Sequence, residues 1–129
     1  MSGTLALLPR RDQEYLISKS VDFEISQAPD GIHLTIARFA FPDGYRPNIA
    51  ALRIILPPGY DNANPDMFWT RPNVLLSNGQ FPRTADVLQQ FGDGLWQRWS
   101  RHFADGWRPG IDGIRTYLAS IRRELARGI

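Results

Sequence analysis

Apolar residues recur every three or four positions along the C-terminal end of the chain. The positions are Ile111, Ile114, Leu118, Ile121 and Leu125. This is the spacing of one face of an α-helix, and arginines gather towards its C-terminal end, where they complement the helix dipole. The pattern therefore predicts a long amphipathic helix. A shorter helix is predicted over Leu8–Lys19, because Pro9 suits a first helical turn.

Between the two predicted helices, apolar and polar residues alternate with the period of a β-strand. Ile32, Leu34 and Ile36 alternate with more polar neighbours and follow a strong turn signal, Pro29-Asp30-Gly31. Together with the preceding segment they predict a two-stranded hairpin. The alternation places His33 on the polar face of its strand, where we expect it to face solvent.

Two further segments extend this hairpin into a meander. Ile49–Leu56 is almost continuously apolar, which is typical of a buried strand, and Met67–Thr70 is a short strand that ends before Pro72. We therefore predict an α+β fold in which helices flank an antiparallel four-stranded meander. At 129 residues, the chain is expected to form one domain over residues 1–129.

The segment Trp96–Phe103 has a different pattern. Its aromatic residues recur with helical spacing, so the pattern predicts a helix whose aromatic side chains lie in the core. In such a helix Ser100 and His102 diverge by about 200°, at roughly 100° per residue. Thr84–Gln90 is interpreted as a further short helical piece, which Gly92-Asp93-Gly94 interrupts.

Composition narrows the chemistry that the chain can perform. It contains no cysteine, which excludes disulfides, thiolate zinc sites and a cysteine nucleophile. Its two histidines lie far apart without carboxylates at ligand spacing, so we predict no metal site, and no motif indicates a cofactor. The formal net charge is only +2 and the arginines are scattered among acidic residues, which disfavours nucleic-acid binding.

The hydropathy of the chain gives no sign of a membrane protein. No apolar run approaches the length that crosses a bilayer. The first eight residues lack the basic residues and the small-residue cleavage site of a secretory signal. We therefore expect no membrane association and a cytoplasmic location.

Two motifs, taken in order with the predicted elements, resemble a known family. Strand Ile49–Leu56 runs into the turn Pro57-Pro58-Gly59-Tyr60, which is similar to the tyrosine- and proline-rich turn between strands three and four of ubiquitin-conjugating enzymes. Trp107-Arg108-Pro109 then opens the long helix, as the tryptophan-x-proline signature does in those enzymes. The resemblance covers roughly residues 8–127 and is to a divergent bacterial branch of the superfamily. It implies the ubiquitin-conjugating fold, shortened at its C-terminus.

The chain departs from that family at its reactive positions. The family's cysteine precedes the tryptophan-x-proline signature, and here Ser100 stands close to that place, seven residues before Trp107. The family's His-Pro-Asn motif is absent. Arg71-Pro72-Asn73 imitates it by letter and Asn78 lies in a similar turn, so either asparagine is a candidate for stabilising an oxyanion.

A serine carrier needs help that a thiol does not, because a hydroxyl is a poor nucleophile until a neighbouring base takes its proton. His102 is the nearby imidazole, and Arg98 and Arg101 are the cations available to stabilise developing negative charge. Asp105 or Asp112 is the carboxylate expected to orient the imidazole. The alternative is an ordinary surface serine beside a structural histidine.

The resemblance also implies a function and its partners. The protein would accept a ubiquitin-like modifier from an adenylating activating enzyme, carry it as a Ser100 oxyester and pass it to an amine. Such bacterial systems include a metal-dependent deconjugating protease, which is therefore a further expected partner. Two alternatives stay open at this point: a catalytically inactive adaptor of the same fold that binds the modifier or the activating enzyme, and an unrelated arginine-rich binding module.

Overall fold

The computed structural model describes residues 5–19, 22–103 and 106–127 of the chain. Its elements are, in chain order, α1 (Arg10–Ser18), β1 (Phe23–Ala28), β2 (Gly31–Ala40), β3 (Tyr45–Arg46), β4 (Ile49–Leu56), β5 (Phe68–Arg71), β6 (Leu75–Leu76), β7 (Val87–Phe91), β8 (Gly94–Trp99) and α2 (Ile114–Arg127).

The main sheet is antiparallel and has the strand order β1-β2-β4-β5-β8-β7, while β3 and β6 form a separate two-stranded pair. The predicted α+β class is confirmed, since the four predicted strands are β1, β2, β4 and β5 and lie side by side in that order. The predicted N-terminal helix is α1, with Pro9 directly before its first residue. The long C-terminal helix begins at Ile114, later than predicted, and Ile111 is exposed.

The segments predicted to be helical between residues 84 and 103 contain a β-hairpin instead. Val87–Phe91 and Gly94–Trp99 pair as β7 and β8, and β8 also pairs with β5, so the hairpin extends the sheet. The helical prediction was wrong because this strand is buried on both faces. Trp96 and Trp99 are three residues apart and point to opposite faces of the strand, and both are buried. On a strand buried on both faces, such spacing imitates helical periodicity.

The core lies between one face of the sheet and the two helices. Apolar side chains of the sheet meet Leu16 of α1 and one face of α2. The principal members are Leu34, Leu52, Ile54, Phe68 and Trp99 from the sheet, and Ile114, Leu118, Ile121 and Leu125 from α2. Each such side chain contributes about 1.5–3 kcal/mol of burial free energy. This packing fixes the end of β8 relative to α2.

The hairpin also covers part of the opposite face of the sheet. Phe91, next to its turn, packs edge-on against the ring of His33 with centroids 5.2 Å apart, and Arg53 lies 4.1 Å from the ring centroid of Trp96. His33 is only 6% exposed, and its Nε2 lies 2.8 Å from Asp30 Oδ1. The expectation that His33 faces solvent was therefore wrong, because Phe91 of the hairpin and Asp30 of the turn before β2 cover its ring.

The two motifs behind the family resemblance meet in space. The rings of Tyr60 and Trp107 have centroids 6.1 Å apart, and Trp107 Nε1 donates to the backbone carbonyl of Asp61 at 2.8 Å. The Tyr60 hydroxyl donates to buried Asp12, whose other oxygen accepts the backbone N–H of Ile114 at 2.9 Å. Asp12 thus caps the first turn of α2 from another helix, and ties α1, the proline-tyrosine turn and α2 together.

Candidate functional site

Ser100 lies where the chain leaves the main sheet. It follows Trp99, the last residue of β8, which pairs with Phe68 at the start of β5. The Ser100 N–H donates to the carbonyl of Thr84, and the N–H of Arg101 donates to the carbonyl of Trp99 at 3.0 Å, which makes a γ-turn centred on Ser100. The segment is not helical, so the expected divergence of its polar side chains around a helix does not apply.

The Ser100 hydroxyl has a cation as its described side-chain partner. It is half-buried and accepts a hydrogen bond from Arg98 Nε at 3.1 Å. A guanidinium beside an oxygen favours negative charge there, because hydrogen bonds to a charged partner are stronger than neutral ones. Of the two cations considered for charge stabilisation, Arg98 is therefore the one in contact with the serine.

His102, two residues beyond Ser100, pairs with a carboxylate from another part of the chain. Its Nδ1 lies 2.7 Å from Asp66 Oδ1, and both side chains are more than half exposed. In the neutral ring with Nδ1–H donating to this carboxylate, Nε2 keeps its lone pair and can accept a proton. This is the arrangement by which a carboxylate orients the histidine base of serine hydrolases.

The carboxylate in this pair is not one of those expected from the sequence. Asp112 is largely buried, and its Oδ2 accepts the backbone N–H of Arg108 at 2.8 Å, which holds the pKa of Asp112 below its ordinary value. Asp105 lies outside the described residues. Asp66 is 36 positions from His102, so no spacing in the sequence links the two.

Tyr117 of α2 supports both members of the pair. Its hydroxyl donates to the carbonyl of Met67, next to Asp66, at 2.7 Å, and its ring stacks on Phe103, next to His102, with centroids 5.3 Å apart. Burial raises the pKa of this hydroxyl, which therefore stays protonated and keeps donating. Met67 has a φ of 62°, a left-handed conformation that is uncommon outside glycine and marks local strain. The helix thus contacts the chain neighbours of the carboxylate and of the imidazole.

Arg101 points into the protein. It is 3% exposed, and its Nε and Nη2 donate to the carbonyl of Arg83 at 3.2 and 2.9 Å. Its Nη1 lies 3.8 Å from Glu124 of α2, and desolvation by burial lowers its pKa from the ordinary value. These contacts anchor the segment after β8 to α2, and none of them involves Ser100. A role for Arg101 in charge stabilisation stays a prediction.

Asn78 lies in an exposed turn, where its Oδ1 accepts the backbone N–H of Gln80 at 3.0 Å. This is the local hydrogen bond by which asparagine commonly stabilises a turn. Asn73 is also exposed and lies beyond the end of β5 that is remote from Trp99. Among the described residues, neither asparagine forms a hydrogen bond with Ser100, and the oxyanion role given to Asn78 stays a prediction.

The geometry of the site suits acid–base and electrostatic chemistry. It combines a hydroxyl beside a guanidinium with an imidazole that a carboxylate orients. Within the described ranges, no group of three or more histidines and carboxylates is placed to hold a metal ion. In the same part of the chain, neither helix has the length and apolar character to cross a bilayer.

Comparison with known proteins finds a family whose model matches this chain. The family model described as Prokaryotic E2 family E matches residues 8–128, which is nearly the whole chain. No curated protein and no solved structure gives a significant match. The matched range includes Ser100 together with the pair of Asp66 and His102.

Proposed function

Because the chain belongs to prokaryotic E2 family E, we propose that it takes part in the conjugation of a ubiquitin-like modifier in the cytoplasm. It accepts the modifier from an adenylating activating enzyme, carries it as an oxyester on Ser100 and passes it to an amine. The observation that supports this best is the setting of Ser100. Its hydroxyl lies beside Arg98, two residues before an imidazole that Asp66 orients.

The first step exchanges one acyl bond for another. The Ser100 oxygen attacks the C-terminal carbonyl carbon of the modifier and forms a C–O bond, while the bond from that carbon to the sulfur or phosphate of the activated donor breaks. The proton of the hydroxyl passes to Nε2 of His102, directly or through one water. Negative charge develops on the carbonyl oxygen during the attack, and Arg98 is the cation that stabilises it.

The second step releases the modifier to its target. An amine attacks the oxyester carbon, a C–N bond forms, and the C–O bond to Ser100 breaks. His102 returns its proton to the serine oxygen, and the proton lost by the amine goes to solvent. An alkoxide is a poorer leaving group than a thiolate, so this step depends on the proton from His102 more strongly than in an enzyme that uses a thiol.

A second function, that of a non-catalytic adaptor, also has an observation in its favour. The described hydrogen bond of the Ser100 side chain comes from Arg98, which is a donor and not a base, whereas His102 is paired with Asp66. An adaptor binds the modifier or the activating enzyme through the same fold without forming a covalent bond.

Adduct formation separates the two functions. The protein is incubated with ATP, a bacterial ubiquitin-like protein and an activating enzyme for that modifier, and the products are resolved under denaturing conditions. We expect an adduct that survives thiol reductants but is cleaved by hydroxylamine, as an oxyester is. Ser100→Ala should abolish the adduct, and Ser100→Cys should convert it to one that thiol reductants cleave.

The matched control is Ser77→Ala, because Ser77 is an exposed turn serine. This variant should form the adduct as the wild type does. Adduct formation by Ser100→Ala at the wild-type rate would show that Ser100 is not the carrier. A wild-type protein that binds the modifier or the activating enzyme but forms no adduct would establish the adaptor function instead.

A further inference from the structure

Helix α2 carries solvent-exposed arginines, and some of these arginines have no carboxylate partner among the described residues. Arg115 and Arg123 are both exposed. Among the described residues, the side-chain hydrogen bond of this pair is the one that Arg123 donates to Ser120. The acidic residues nearby, Asp112 and Glu124, have little exposed side chain and already pair with other arginines. This face of the helix therefore carries positive charge that the described residues do not balance.

The two arginines bracket a groove along the helix. Arg115 and Arg123 are eight residues apart, which is about two turns, or about 12 Å along the helix axis. Ala119 lies between them on the same side, and its small side chain leaves room for a ligand. The groove has a volume of about 460 Å³. Its other lining side chains include Thr116, Ser120, Phe103 and Trp107.

We propose that this groove binds an acidic segment of a partner protein. Two carboxylates of the segment contact Arg115 and Arg123, and its backbone runs over Ala119 between them. The hydroxyls of Thr116 and Ser120 already donate to the backbone carbonyls of Gly113 and Thr116, so the two arginines are the groups that hold the segment. Charge complementarity identifies the partner, since guanidinium groups form their strongest hydrogen bonds with anionic oxygens and bind carboxylates in a planar, paired geometry.

A protein partner fits this groove better than a nucleic acid does. Single strands bind proteins by stacking their bases on aromatic faces. Here the ring of Phe103 stacks on Tyr117, and Trp107 packs against Tyr60 and Tyr117 within the protein. A duplex is recognised by a concentrated stripe of cations, whereas the formal net charge of the whole chain is only +2.

The groove is separate from the candidate acyl-transfer site. Its lining does not include Ser100, His102 or Asp66, and the arginines that bracket it do not contact those residues. The inference therefore does not depend on the chemistry proposed for the serine, and the two can fail independently.

Fluorescence anisotropy of a short fluorescein-labelled polyglutamate peptide tests the proposal on the full chain at low ionic strength. The wild-type protein should bind this peptide but not polyglutamine of the same length, and added salt should weaken the binding. Arg115→Gln and Arg123→Gln should each weaken binding roughly two- to five-fold, because exposed ion pairs are individually weak. The double variant should show about the product of the two effects.

Arg10→Gln is the matched control, because Arg10 is an exposed arginine on α1, outside the groove. It should bind the peptide as the wild type does, and circular dichroism should show that all variants are folded. Three results would overturn the proposal: no peptide binding by the wild type, an equal loss in Arg10→Gln, or tighter binding of a single-stranded oligothymidine than of the peptide.

Discussion

Asp66 determines which nitrogen of His102 can act as a base. The carboxylate lies against Nδ1, which leaves Nε2 as the nitrogen that takes the Ser100 proton in the reaction we propose. In Asp66→Asn an amide can present its NH₂ group to the ring and favour the wrong tautomer. We expect Asp66→Asn to slow adduct formation roughly ten-fold or more, and His102→Gln to slow it about a hundred-fold. Single-turnover rates of adduct formation measure both effects.

Both substitutions act on the same proton transfer, so their effects should not multiply. The double variant should be about as slow as His102→Gln alone. Asp86→Asn, at an exposed position without a described ion pair, is the control and should react at the wild-type rate. Multiplied effects in the double variant would mean that Asp66 and His102 act separately.

Asp93 makes the stability of the fold depend on acid pH. Arg53 donates two hydrogen bonds to its carboxylate, at 3.1 and 2.7 Å, and these lower the pKa of Asp93 from 3.8 to about 2. A carboxyl group whose pKa is lower in the folded state stabilises the fold at pH values above its unfolded pKa. It loses this contribution as the pH falls through the folded pKa. The Asp93 contribution should therefore be lost between about pH 4 and pH 2.

Asp93→Asn removes this contribution at neutral pH. The pKa shift corresponds to at most about 2.5 kcal/mol. Because 45% of the side chain is exposed, we expect solvent screening to leave a loss of about 1 kcal/mol. Urea unfolding at about pH 7 and about pH 2.5 measures the difference from wild type, which should shrink at the lower pH. A difference of equal size at both pH values would contradict the linkage, and Asp43→Asn, at an exposed turn position, serves as control.

At the scale of the elements, the start of α2 depends on a side chain from α1. Asp12 is 1% exposed and accepts hydrogen bonds from the Ile114 N–H and the Tyr60 hydroxyl. Asp12→Ala leaves both donors without this partner, and should lower the free energy of unfolding by about 2–4 kcal/mol. Tyr60→Phe removes one of the two bonds and should cost about 1–2 kcal/mol. Equilibrium urea unfolding measures both losses.

Glu14→Ala provides the comparison on the same helix. Glu14 is well exposed and pairs with Arg10 on the surface, so its removal should cost less than about 0.5 kcal/mol. If Asp12→Ala destabilises the protein no more than Glu14→Ala does, Asp12 does not cap α2 in the way its hydrogen bonds indicate.

The elements that could be predicted from the sequence are those with one clear apolar face or one long apolar run. These are α2, β2 and β4. The buried positions of α2 recur with helical spacing, and the buried apolar positions of β4 recur at every second residue, whereas β2 alternates in this way only up to its irregularity between Ile36 and Phe39. Strand β8 could not be read in this way, because its tryptophans are buried on both faces. The signal that pointed to the hairpin was Gly92-Asp93-Gly94, a turn sequence between two short segments. Gly94 has a φ of 124°, which glycine adopts without a steric penalty.

The candidate site was predictable only where its residues are neighbours in the chain. Ser100 follows from its position before the tryptophan-proline signature, and Arg98 and His102 lie two residues on either side of it. The partner of His102 was not predictable, because Asp66 reaches it through the pairing of β5 with β8. Burial also distinguishes the two arginines in a way the sequence does not show: Arg101 points into the protein, whereas Arg98 contacts the serine.

At the scale of the whole molecule, α2 supports both the candidate site and the arginine groove. Tyr117 contacts the residues next to Asp66 and His102, and it also lines the groove. No contact is described between the exposed side chains of the candidate site and those of the arginine groove. A change in the placement of α2 should therefore disturb both proposed functions, whereas a surface substitution at either should leave the other intact.

The same packing bears on the prediction that residues 1–129 form one domain. The buried cluster includes Leu16 of α1, Trp99 of β8 and Leu125 of α2. The buried amide of Gln97 in β8 also bonds both backbone groups of Val74, which ties the hairpin to the segment after β5. Helices and hairpin thus share one core, so we expect the chain to unfold in a single cooperative transition.

Two spectroscopic probes report on different parts of this core. Far-UV circular dichroism follows chiefly α1 and α2, whereas tryptophan fluorescence includes Trp96 and Trp99 of β8. In a urea titration the two signals should give the same midpoint and the same free energy of unfolding. Ile121→Ala truncates a fully buried residue of α2 and should lower the free energy of unfolding by about 2–4 kcal/mol. The urea midpoints of both signals should therefore fall together. If the dichroism midpoint moves while the fluorescence midpoint stays, the helices and the hairpin unfold as separate units, and the chain is not one cooperative domain.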